Sequence, residues 1–145
     1  MAFRFSLGSV LRVRGIVEER EERMLQSIQL ELSRAQESLV RTEAELERSD
    51  ASRQAQIFKP FLAHNLHASY GEVKQLKESR EILVDRIEKL KQLRDRQLVV
   101  YQQARRNREM LTDMREEKLS VYESDVARGE QKTLDDNYIA RRGRV

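Results

Sequence analysis

The chain has 145 residues, of which 37% are charged, 39% hydrophobic and 6% aromatic, with one proline, no cysteine, no tryptophan and a formal net charge of +3. A round domain of this length carries roughly 25% charge and more aromatic bulk, so the material for a globular core is missing. The lack of cysteine excludes disulfides, thiolate zinc sites and cysteine nucleophiles, and apolar runs no longer than Leu98-Val99-Val100-Tyr101 predict a cytosolic chain without a bilayer span or secretory segment.

The small total charge hides segregation along the chain. Residues 1–15 hold Arg4, Arg12 and Arg14 and no acid, whereas residues 16–49 hold five basic and nine acidic residues. Residues 50–115 carry fourteen basic against nine acidic, residues 116–138 three against seven, and residues 139–145 add Arg141, Arg142 and Arg144. Both ends are therefore basic, and each is backed by an acidic stretch.

In chain order, the first predicted element is a helix over about 7–56. From Leu25 its apolar positions fall at Ile28, Leu32, Ala35, Leu39, Thr42 and Leu46, alternating by three and four. That spacing is a heptad seam, narrower than the face a globular helix buries. Upstream, Leu7, Val10, Leu11, Val13, Val17 and Met24 continue an apolar face less regularly, and Gly8 and Gly15 weaken helix propensity by about 1 kcal/mol each. The first fifteen residues are accordingly expected to fray without a partner.

A turn is predicted over about 57–60, where the only proline, Pro60, closes Ile57-Phe58-Lys59. A second helix over about 61–138 follows, with Gly71 as a possible hinge and a basic tail at 139–145. Its seam runs through Val73, Leu76, Leu83, Ile87, Leu90, Tyr101, Ala104, Leu111 and Tyr122, while Arg80, Arg94, Gln97, Arg108, Arg115 and Lys118 occupy intervening core-type positions. Long basic side chains there make the seam leaky.

Two helices joined by a short connection are antiparallel neighbours, so the expected fold is all-α: a single-domain, long antiparallel two-helix coiled coil whose second helix is longer and overhangs. A turn centred near residue 58 places Leu11 beside Arg106. The overhang is then roughly 25 to 30 residues beyond a first helix about 75 Å long.

Catalytic motifs are missing. His64 and His67 are three apart, but a metal site needs three or four ligands and no further His or Cys exists. Neither a Walker-type loop, HExxH nor GxSxG is present, so no enzyme activity and no cofactor is expected. The run Gln103-Ala104-Arg105-Arg106-Asn107-Arg108 has the look of a leucine-zipper basic region. Steps of seven from Leu111 nevertheless give Lys118, Asp125 and Lys132, so no parallel zipper follows and no specific nucleic acid is expected. Arg141-Arg142-Gly143-Arg144 retains the capacity for nonspecific phosphate binding. Phe3 and Phe5 at one end, and Phe58, Phe61 and Tyr70 near the turn, exceed what a two-helix seam can bury and are candidate contact surfaces.

The opening Phe3-Arg4-Phe5-Ser6-Leu7 with Val10-Leu11 and Arg14, and the closing Tyr122-Glu123, Glu130-Gln131-Lys132 and Leu134-Asp135-Asp136 with Arg141, resemble the terminal patterns of the FliJ family of flagellar type III export, related to YscO-type injectisome proteins. Gly15 departs from the charged residue expected there. The resemblance implies a non-enzymatic central-stalk component of the cytoplasm, peripherally associated with the inner membrane. It implies as partners a hexameric export ATPase, a membrane export gate protein and export chaperones. By the same resemblance, Phe3, Phe5, Leu7, Leu11, Arg14, Leu134, Asp135, Asp136 and Arg141 face the ATPase, while Phe58, Phe61, Leu66 and Tyr70 form a gate or escort surface. Two other readings stand beside it: a basic coiled-coil nucleic-acid binder and a homodimeric scaffold.

Overall fold

The computed structural model describes residues 2–57 and 63–144. Nearly all of them lie in two helices, the 49-residue α1 (Gly8–Gln56) and the 80-residue α2 (Ala63–Arg142), and there is no strand among the described residues. Phe58, Lys59, Pro60 and Phe61, on which the predicted turn rests, lie outside them.

The chain divides into two compact units, one of Glu21–Val100 and one of the segments up to Arg20 and from Tyr101 onward. In the Glu21–Val100 unit α1 and α2 pack antiparallel. Leu25, Ile28, Leu32, Ala35 and Leu46 are buried from α1, and Val73, Ile87, Leu90 and Gln97 from α2, so the predicted three-four seam is the one the helices use. Leu32, Ala35, Ile87 and Leu90 form the central cluster, with Leu39 packed against it. On one flank of this seam Arg86 faces Glu31 at 4.0 Å, an exposed ion pair of the kind that flanks two-stranded coiled coils. Gly71 does not break α2, which passes through it without a left-handed backbone.

In the other unit Leu11 and Leu111 are half-buried, whereas Arg106, expected beside Leu11, is exposed. Ala104 is buried here, with Leu7, Tyr101 and Tyr122 half-buried. Val10 and Val13, counted as part of the apolar face, are instead 40% and 56% exposed because they lie off the three-four stripe. α1 starts without an acidic residue in its first turn and is held by the Gly8 amide on the Phe5 carbonyl at 3.1 Å and the Leu11 amide on Leu7 at 2.9 Å. It runs through Gly15 without interruption.

Beyond Tyr122 every residue from Glu123 to Arg142 is exposed, so about 30 Å of α2 extends with no helix beside it. The expected basic tail at 139–145 is helical through Arg142. Arg141 and Arg142 stand in the last turn, where cations oppose the helix dipole, and the Gly143 amide reaches the Ile139 carbonyl at 2.9 Å.

Because the seam is one stripe wide, each of its residues matters. Leu32→Ala should lower stability by about 2–4 kcal/mol in urea unfolding, whereas Val40→Ala, at a position 65% exposed, should change it by less than about 0.5 kcal/mol.

Candidate docking surfaces

At the terminal end the first residues fold back on α2. Phe5 is only 9% exposed, with the Lys118 ammonium 5.7 Å from the centre of its ring, and Phe3 meets Tyr122 with ring centroids 5.6 Å apart. The two aromatics expected as exposed contacts are therefore a cap on the end of the seam. Burial of the rings and the cation–π contact hold it there. Of the residues assigned to an ATPase-facing end, Phe3, Phe5, Leu7 and Leu11 are gathered at this cap. Arg14 occupies a seam position but is exposed. Leu134, Asp135, Asp136 and Arg141 are exposed too and lie on the free part of α2, beginning about 18 Å beyond Tyr122. The structure places four of the nine toward the cap, keeps Arg14 on α1 and strings the other four along the free part of α2.

Stepping the seam backwards from Leu25 by four and three reaches Glu21, Glu18, Arg14 and Leu11, so two carboxylates stand at core positions. Sequence reading marked Gln97 and Arg108 but missed their acidic partners; the signal was this backward step. Buried Gln97 donates through Nε2 to the Glu21 carbonyl oxygen at 3.1 Å and to its carboxylate at 2.7 Å. Arg108 turns to Glu18, donating through Nε to one carboxylate oxygen and through Nη2 to the other at 3.3 Å, while Arg14 faces solvent. The bond to Glu18 raises the Arg108 pKa further above its ordinary range, and the Arg105 bond to Glu109 at 2.8 Å does the same for Arg105. Two of the three arginines in the basic run are thus engaged within the chain.

Near the turn, Leu66 and Tyr70, 37% and 57% exposed, line a groove of about 280 Å³ with Asp50, Arg53 and Ile57. The Arg53 guanidinium lies 5.5 Å from the Tyr70 ring centre and pairs with Asp50. Phe58 and Phe61, grouped with this surface, lie outside the described residues, as does the side chain of His64. No three His, Asp or Glu side chains converge among the described residues, and no described helix is long and apolar enough to cross a membrane.

These features define an antiparallel two-helix coiled-coil protein with its polar groups committed to helix pairing and with a free helix at one end. The chain matches the family described as flagellar FliJ protein over residues 3–144, and it belongs to that family. Membership makes it a flagellar export-related protein. Comparison with curated proteins and with solved structures finds no match.

Removing one member of a half-buried ion pair strands the other. Glu18→Ala should therefore destabilise the chain by about 1–2 kcal/mol, while the double change Glu18→Leu with Arg108→Leu should be neutral or stabilising, both read as shifts of the urea midpoint.

Proposed function

We propose that the chain is a non-enzymatic stalk that couples and promotes assembly of a hexameric export ATPase, and escorts export chaperones or substrates to a membrane export gate at the cytoplasmic side of the inner membrane. The observation that carries this reading is the exposed stretch Glu123–Arg142. A single helix about 10–12 Å across enters a ring opening that a two-helix pair would fill. Its residues Leu134, Asp135, Asp136 and Arg141, with the cap of Phe3, Phe5, Leu7 and Leu11 and the nearby Arg14, make the ATPase-facing end. The groove at Leu66 and Tyr70 makes the gate or escort surface, together with Phe58 and Phe61 as their neighbours in sequence, since an exposed aromatic such as Tyr70 beside a paired cation is a favourable anchor for a partner. The internal pairing of Arg105 and Arg108 weighs against a nucleic-acid binder, because both guanidiniums would have to release carboxylates to reach phosphates.

Mixed with the export ATPase of its own cell, the chain should raise ATP hydrolysis and the hexamer fraction several-fold. The combined variant Leu134→Ala, Asp135→Ala, Arg141→Ala should lose most of that gain with its helical circular dichroism unchanged. A full-length chain that alters neither hydrolysis nor assembly would contradict the proposal.

A further inference from the structure

The flanks of the seam in the terminal unit differ from those of an ordinary two-stranded coiled coil. Flanking positions usually carry Glu and Lys that pair across the helices, as Glu31 and Arg86 do in the Glu21–Val100 unit, although Met24, Leu93 and Val100 hold the same heptad positions there. In the terminal unit the corresponding heptad positions are Val10 and Val17 on α1 and Asn107, Met114 and Val121 on α2, with Val13 and Arg20 on α1 and Met110 and Glu117 on α2 one step outward. Val13, Met110 and Val121 are 56%, 61% and 56% exposed. In antiparallel helices these two flanks adjoin, so they line one largely apolar groove in which Asn107 is the polar member, and Arg14 faces solvent beside it. The groove spans about 20 Å by about 15–20 Å, a few hundred Å², the size of patch that marks a contact site.

The free part of α2 has the complementary character. Val126, Leu134 and Tyr138, all exposed, recur with Glu130 in steps of four along one side of the helix, giving an apolar stripe with a carboxylate in its middle. Residues 123–138 hold five acidic and two basic side chains, against three arginines and no acid in residues 1–15. The stripe cannot fold back onto its own groove, because α2 continues unbroken through Tyr122.

We propose that the groove takes the free helix of a second copy of this chain. Two copies meeting end to end about a two-fold axis each lay Val126–Tyr138 in the other's groove, with Glu130 near the partner copy's Arg14. Both ends then carry three-helix packing, and the arrangement closes at two copies because the contact is isologous. Two such contacts together approach the lower bound of about 1,200 Å² for specific complexes, so the dimer is weak, concentration-dependent and loosened by salt. This inference is independent of the ATPase reading, although it occupies the same end and so opposes any partner that docks there.

Sedimentation equilibrium of the full chain from low micromolar to several hundred micromolar tests it. The mass should rise from 17.2 kDa toward twice that value, and less steeply in high salt. Met114→Glu in the groove and Leu134→Lys on the free helix should each weaken association roughly tenfold or more, whereas Val40→Lys should not. Because Arg14 and Glu130 are both exposed, Arg14→Glu should weaken it without unfolding, and Arg14→Glu combined with Glu130→Arg should restore it. A chain that stays monomeric throughout overturns the proposal and leaves the groove to a helix of another protein. A dimer indifferent to Leu134→Lys and to the charge exchange overturns it equally.

Discussion

The whole chain depends on a contact one stripe wide. Two helices meeting along alternating three- and four-residue steps bury a single row of side chains from each, and there is no second layer behind them. That constraint explains the composition: with ten hydrophobic residues classed as buried among the described ones, 39% hydrophobic content is ample and 37% charge is surface. It also explains why Leu32, Ala35, Ile87 and Leu90 matter more than any comparable residues of a round core. Their loss cannot be absorbed by neighbours closing in from other directions.

A seam made only of leucines would slide, since one heptad offset looks much like the next. The polar members at Glu21–Gln97 and Glu18–Arg108 remove that freedom. Each satisfies its partner in only one alignment, and a shift by a heptad would leave a carboxylate or guanidinium facing an apolar side chain. Arg14 and Arg108, both at seam positions, differ in this respect: Arg108 turns to Glu18 and Arg14 to water.

Much of this was legible in the sequence, and the parts that were not have identifiable reasons. Periodicity located the seam residues from Leu25 to Leu46 and from Val73 to Tyr122, because a 3.5-residue repeat is a strong signal over many turns. Register was not legible. It depends on where the turn centres, and a proline marks only a boundary, so the spacing sets Leu11 beside Arg106, which is exposed. The acidic partners of Gln97 and Arg108 were overlooked because a carboxylate at a core position reads as surface until its partner on the other helix is seen. Phe3 and Phe5 were read as exposed because the extended segment before Gly8 can fold back onto α2, which no helical wheel represents. For the proposed docking surfaces, residue type and family resemblance supplied candidates, but only the fold separates Phe3 to Leu11 at the cap from Leu134 to Arg141 on the free helix.

The unpaired end of α2 has a thermodynamic character of its own. An isolated twenty-residue peptide of this composition is a poor helix in water, chiefly because its first turn must be nucleated at a penalty of σ about 10⁻³. Here that step is already accomplished: the seam ending at Tyr122 hands over a formed turn, and Glu123 onward needs only propagation. Helicity therefore declines gradually toward Arg142 and is not lost all at once, and amide exchange should grade from protected to rapid along the same direction. A partner meeting this end binds a segment whose ordering entropy is largely settled near Tyr122 and still outstanding near the arginines.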